Sequence, residues 1–254
     1  MKQIILSTIK EELIISDNQE LIVIDDLDLS ENDNLNKVFK VTIGKNCKVQ
    51  YFCLIKNCLS GDKYQEREIS LGDFSQMSSY RFYLNAQEAL QKFTILIGNS
   101  ARLDSQVFFL QTENNKITVS DDYIFESPNS YGRFLVTGIL KNEAAAKYFS
   151  EVVIKEGAQG TDSRIDMKLY LLDKGTKGNL LPSLKIAANE VKSGHGASTF
   201  KLSQEDLFYL NSRGLTEEGV KSLVINSLLD NLLKDIPLAE FKENILTTIA
   251  TFDA

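Results

Sequence analysis

One short phrase, repeated at nearly constant spacing, limits the folds open to this chain more than any other feature. An aliphatic residue, often with Gly after it, leads through polar positions to a small residue: Ile43-Gly44-Lys45-Asn46-Cys47, Leu71-Gly72-Asp73-Phe74-Ser75, Ile97-Gly98-Asn99-Ser100-Ala101 and Ile154-Lys155-Glu156-Gly157-Ala158. The first three copies begin 28 and 26 residues apart. Between copies, segments such as Gln106-Val107-Phe108-Phe109-Leu110 and Arg164-Ile165-Asp166-Met167-Lys168-Leu169-Tyr170 alternate in the manner of strands with one buried face. A repeat of this length is the size of one β-solenoid coil, which buries its inner face only by stacking on its neighbours. Small residues at a fixed phase suit tight corners. An irregular β-sandwich with accidental spacing is the competing fold. The chain divides into a β-rich segment over 1–37, a parallel β-helix over 38–198 and a helical domain over 199–254.

Helical signals begin after Ser198. Ser203-Gln204-Glu205-Asp206 reads as a helix start with a capping hydroxyl and acids in the first turn, and Arg213-Gly214 as its stop. Thr216-Glu217-Glu218 opens a second helix, in which Val220, Leu223, Val224, Leu228, Leu232 and Ile236 recur at helical spacing and Leu229 and Leu233 widen the stripe. Pro237 ends it, and a third helix from Leu238 carries Phe241, Ile245 and Ile249 on one face. Three short amphipathic helices must pack on one another, on the β core or on a partner.

Charge and cysteine usage narrow the function. A net charge of −7 repels phosphate backbones and anionic lipid, so nucleic acid and membrane surfaces are not the expected partners. Cys47, Cys53 and Cys58 make an odd, closely spaced set that suits a reducing, cytoplasmic setting better than a disulfide framework. They read as buried small hydrophobes, with Cys47 and Cys53 able to share a face. The opening run Met1 to Leu6 is too short for a signal core or a membrane span.

Catalytic patterns are missing. With one histidine and no Gly-x-Ser-x-Gly elbow, a nucleophile has no paired base, and without a Gly-x-x-x-x-Gly-Lys-Ser/Thr loop the chain is not expected to hydrolyse ATP. Asp162, Arg164 and Asp166 alternate along one strand. They fit a solvated charge ladder or, on the enzyme reading, the acidic face of a carbohydrate-active β-helix. His195 lies between Gly194 and Gly196, which allow close backbone approach and open the imidazole to a partner. Neutral imidazole ligates iron, but one His with surrounding acids is not a complete soft donor set, so no self-contained metal site is expected.

Three phrases in order carry a family resemblance: Pro182-Ser183-Leu184-Lys185-Ile186, then Asn189-Glu190-Val191-Lys192-Ser193-Gly194-His195-Gly196-Ala197-Ser198, then Leu207-Phe208-Tyr209-Leu210-Asn211-Ser212-Arg213-Gly214-Leu215. Together with Gly157-Ala158-Gln159-Gly160-Thr161-Asp162-Ser163 upstream, they resemble the C-terminal signature of the SufB/SufD family over roughly residues 130 to 236. The residues look more like SufD: Lys174 to Asn179 has no thiol where SufB-type chains carry a functional cysteine. Ser193 and Lys185 stand where a Cys and a Glu are common, so no thiolate acts at position 193.

The resemblance implies a right-handed parallel β-helix with a C-terminal α-helical domain that docks the ATPase SufC. It also implies pairing through the β-helix cores with a SufB-like chain or with itself. On that basis the chain is a non-catalytic subunit of an iron–sulfur cluster assembly scaffold. No cofactor is bound stably by it alone, and a transient cluster is held only in the complex, where the partner brings the thiolates. His195 is the cluster candidate at the subunit interface. Phe208, Tyr209, Arg213, Gly214, Val220, Leu223, Val224 and Leu228 form the expected ATPase-docking surface, although Phe208 and Tyr209 would equally serve to plug the base of the β-helix. The N-terminal helical domain of larger family members is expected to be missing or vestigial. A stand-alone homodimeric scaffold that never touches iron is the remaining alternative.

Overall fold

The computed structural model describes residues 2–6, 12–28, 37–58, 63–86 and 89–252. Strands are assigned alternately to two sheets. One sheet takes β1 (Lys2–Ile5), β3 (Glu20–Asp28), β5 (Lys48–Cys58), β7 (Gln76–Ala86), β9 (Arg102–Gln111), β11 (Tyr131–Leu140), β13 (Asp162–Leu171) and β15 (Lys192–Lys201). The other takes β2 (Glu12–Ile15), β4 (Lys37–Ile43), β6 (Lys63–Leu71), β8 (Ala89–Ile97), β10 (Lys116–Phe125), β12 (Ala145–Ile154) and β14 (Lys177–Ile186). Every pairing is parallel and joins a strand to the one two places along. The chain therefore winds as a β-solenoid with two strands to a coil, and the sandwich alternative is set aside. The N-terminal β-rich segment is part of the same stack, since β1 pairs with β3 and β2 with β4.

Corners explain the repeated phrase. Asn18, Asn46, Phe74, Ser100, Asn129 and Gly160 each adopt a left-handed conformation, with φ between 52° and 72°, as the chain leaves the second sheet for the first. The N–H of each donates to a carbonyl of the next coil, Asn46 to Asp73 at 3.0 Å and Phe74 to Asn99 at 2.8 Å, for example. Gly72 is required here because a Cβ on it would stand 2.5 Å from the Gly44 carbonyl oxygen. The small residue that closes the phrase ties neighbouring coils together, since Ser75 accepts the Cys47 N–H at 2.8 Å and donates to the Gly44 carbonyl at 2.7 Å.

Inward side chains fill the space between the sheets. Alternation is strict in β10, β12 and β13, but the middle of β5, β7 and β9 departs from the expected single buried face. There Phe52, Leu54, Phe82, Leu84, Phe108 and Leu110 point outward and are still buried, because helices cover that face. α1 (Gln204–Asn211), α2 (Glu217–Lys234) and α3 (Ala239–Ala250) form the appendage. Thr216 caps α2 by accepting the Gly219 N–H at 3.1 Å, with Glu217 and Glu218 in the first turn. Ile225, Leu229 and Leu233 of α2 join Phe241, Ile245 and Ile249 of α3 against the first sheet. The Phe241 ring lies 5.1 Å from that of Phe52 and 5.8 Å from that of Phe82. Burial of such side chains contributes about 1.5–3 kcal/mol each, enough to hold the appendage in place.

Candidate functional site

The solenoid is open at its C-terminal end. β14 and β15 are the last strands of their sheets, each with one edge unpaired by any described strand, and the strict burial alternation of β13 gives way to general exposure in both. Register decides where the side chains point. His195 pairs with Ile165, itself opposite Phe134, in a column of inward residues, so the imidazole continues the inner face of the stack and is exposed because no coil lies over it. Ser193, on the same side, shares a 2.8 Å hydrogen bond with Ser163. Leu180, Leu184 and Val191 pack against the core beside it, only partly buried.

Gly194 and Gly196 face the other way. The Arg164–Asp166 ion pair, 2.6 Å long, lies beside them, and a Cβ at Gly194 or Gly196 would come within 3.5 Å of Arg164 Nη1 or 3.3 Å of Asp166 Oδ1. Asp162 pairs in turn with Arg133 at 2.8 Å, so both carboxylates of the ladder are neutralised by guanidinium groups. Among the described residues no three His, Cys, Asp or Glu side chains are grouped to hold a metal ion. Cys47 and Cys53 are buried in the main core, Cys47 at a corner rather than in a strand. The side chain of Cys58 lies outside the described residues.

The predicted docking residues divide sharply. Phe208 is 76% exposed and Tyr209 54%, so neither plugs the base of the solenoid. The Arg213 guanidinium lies 4.7 Å over the Tyr209 ring, and Gly214 takes φ 91° to end the helical turn. Leu223 is exposed, whereas Val224 and Leu228 are half-buried against the second core. Val220 must be corrected: it is fully buried and begins the inward side of α2, where no partner can reach it. Lys221 beside it is almost fully buried and ties α2 to the turn between β13 and β14, 2.6 Å from Asp173 and 2.9 Å from Glu218.

Sequence reasoning missed two ionic groups inside the solenoid. Arg67 donates from Nε to Asp25 Oδ2 at 2.8 Å, and the Tyr51 hydroxyl donates to the same oxygen. Arg81 donates to both oxygens of Asp121 at 2.7 and 2.6 Å, while Tyr123 and Tyr148 donate to Asp121 Oδ2. Burial works against the Arg81 charge, but Asp121 and then the surrounding tyrosines outweigh it, so the guanidinium is held well above its ordinary range. Burial likewise pushes the Tyr83 and Tyr148 phenols up. The missed signal was parity: Asp121 shares the inward phase of Val119 and Tyr123, and Arg81 that of Ser79 and Tyr83.

These features define a two-sheet parallel β-solenoid that is covered on one outer face by helices and exposed at its C-terminal end. Over residues 8–228 the sequence matches the family described as SUF system FeS cluster assembly, SufBD core domain, and the chain belongs to that family. It is 25% identical over 221 residues to the iron–sulfur cluster assembly protein SufD of Bacillus subtilis, covering 84% of this chain and 49% of that one. An iron–sulfur cluster assembly SufBD family protein of Synechocystis is 26% identical over 211 residues, covering 82% of this chain and 46% of its own length. One from Mycobacterium bovis is 28% identical over 112 residues, 44% of this chain and 13% of that protein. The chain thus spans half or less of these relatives. No helix among the described residues is long and apolar enough to cross a membrane.

Proposed function

We propose that this chain is a SufD-like, non-catalytic β-helix subunit of an iron–sulfur cluster assembly complex. Its open end pairs with a SufB-like chain or a second copy of itself, and its helical appendage binds a SufC-like ATPase. The observation that carries the reading is the uncovered end. A solenoid needs a cap, and here the inner column ends in half-buried Ser193 and exposed His195 beside two ten-residue strands with free edges. Another β-helix laid against these edges would satisfy their backbone groups and cover the core. His195 would then lie within the joint. With one imidazole and no grouped donors among the described residues, a nascent cluster would take its thiolates from the partner.

On the appendage, exposed Phe208, Tyr209, Leu215 and Leu223 offer apolar and aromatic surface that the fold itself does not use. Co-expression with a SufC-like ATPase and a SufB-like chain, followed by size-exclusion chromatography with mass measurement, tests the proposal. A stable complex is expected. Phe208→Ala with Tyr209→Ala should lose the ATPase alone, and His195→Ala should keep assembly while losing cluster loading. Failure of the chain to retain either partner would refute the reading, and full cluster loading by His195→Ala would remove His195 from the cluster's ligands.

A further inference from the structure

Six buried polar atoms cluster between the sheets without a hydrogen-bond partner among the described residues: Gln65 Oε1, Ser79 Oγ, Arg81 Nε, Tyr83 Oη, Gln91 Nε2 and Ser150 Oγ. Each belongs to a residue no more than 5% exposed. Their placement is coherent. Ser79 stands beside Ser105 in register, and Ser150 beside Asp121. Ser105 and Asp121 are both acceptors for Arg81. Tyr83 follows Arg81 on the inward side of β7, while Gln65 and Gln91 are register partners one inward step from Arg67 and Phe93. Phe93 carries the Arg81 guanidinium 4.3 Å from its ring centre, which joins the two halves of the group.

We infer that these atoms bind a small cluster of internal water molecules, sealed inside the solenoid. Two chemical facts select the ligand. Each buried guanidinium already faces a carboxylate, Arg67 with Asp25 and Arg81 with Asp121, so an added ion of either sign would bring an uncompensated charge. The open positions are also mixed: Arg81 Nε and Gln91 Nε2 only donate, Gln65 Oε1 only accepts, and the three hydroxyls do either. A ligand that both donates and accepts, carries no charge and fits between packed strands is water, which settles where it finds two to four polar partners. The compartment does not reach the open end. Phe134, Val136, Ile165, Met167 and Leu169 fill the inward positions of β11 and β13 between it and His195.

Water-oxygen magnetic relaxation dispersion on the full chain reads long-lived internal water directly, and a crystal structure at high resolution locates it. The expected result is a slow-exchanging water signal, with density within hydrogen-bond distance of Arg81 Nε and Tyr83 Oη. Tyr83→Phe should weaken that signal and lower the urea midpoint, because the remaining water loses a partner. A dry interior in which the six atoms meet one another directly would overturn the inference, as would an ion in the density. A Tyr83→Phe midpoint that holds or rises would also count against it, since removing a truly orphaned hydroxyl relieves a penalty. Should that variant not fold, the density in the unaltered chain decides the matter.

Discussion

Replacing Gly138 with alanine should unseat the Phe109 ring. Gly138 lies next to Phe109 in the β9–β11 register, and a Cβ there would stand 2.0 Å from Phe109 Cζ and 2.3 Å from Cε2. Carbon atoms rest about 3.5–4 Å apart, so the ring has to move by roughly 1.5–2 Å. It has nowhere to go: Phe109 is fully buried and stacks on Tyr148 at 5.9 Å, and Tyr148 is fixed in turn by its hydrogen bond to Asp121. Overpacking costs about 1–3 kcal/mol, and losing the stacked pair about 0.5–1.5 kcal/mol more. Relief of glycine's backbone entropy offsets about 0.5–1 kcal/mol of that, leaving a net loss of about 2–3 kcal/mol. Urea denaturation should therefore show a lower midpoint at unchanged slope, and thermal unfolding a fall of roughly 5–12 °C. Phe109→Leu on the same background should recover part of the loss, with a coupling of about 1–2 kcal/mol between the two sites. A Gly138→Ala protein within about 1 kcal/mol of the parent, or strict additivity in the double variant, would refute the reasoning.

Three further outcomes are expected. Arg81→Met leaves Asp121 buried without its cation and should cost about 3–5 kcal/mol in chemical denaturation, much of it recovered when Asp121→Leu is added. Phe74→Asn should stabilise the chain by about 0.5–1 kcal/mol, because an aromatic side chain held at φ 59° is strained where asparagine is not, and the exposed ring gives up little packing. Hydrogen bonds from Lys221 first, then Lys141, hold the Glu218 carboxyl below its ordinary pKa of 4.5. Its folded pKa is depressed, so its contribution is complete above that value and fades as the pH falls through and below it. Hydrogen exchange in the first turn of α2, corrected for intrinsic rates, should accelerate between pH 5 and 3, and Glu218→Gln should remove the trend.

The coiled stack was legible because its constraints are local. A corner needs a glycine where the neighbouring coil passes close by and a small residue three positions on, and these recur along the chain in Gly44, Gly72 and Gly98 and in Cys47, Ser75 and Ala101. Helix starts and stops were legible for the same reason, as Thr216 and Gly214 show. What escaped depends on partners remote in sequence. Arg81 and Asp121 are 40 residues apart and meet across the interior, where a single charged letter in an alternating strand looks like a surface residue until its parity is checked. The helix contact escaped in a similar way. Tyr51-Phe52-Cys53-Leu54-Ile55 is an unbroken apolar run, the mark of a strand buried on both faces, yet nothing within it says that Phe241 lies opposite. Val220 was misplaced because a stripe as wide as that of α2 does not reveal which of its edges turns inward.

The burial of α2 also decides what a partner at the appendage can act on. α3 is clamped by aromatic contacts to β5 and β7, with the aliphatic inner side of α2 in the same buried cluster, far along the stack from the free strands. The first turn of α2 is held differently. Lys221 reaches Asp173 in the turn between β13 and β14, and Glu218 reaches Lys141 in the turn that leads from β11 to β12. The apolar clamp carries most of the attachment, since its many fully desolvated side chains each contribute about 1.5–3 kcal/mol, whereas the first turn rests on Lys221 and a few partly exposed carboxylates. Anchoring and linkage are thus separated along one helix. A load applied at Phe208, Tyr209 and Leu223 would strain the ionic first turn long before it disturbed the clamp, and that turn adjoins β14, the strand whose free edge flanks His195.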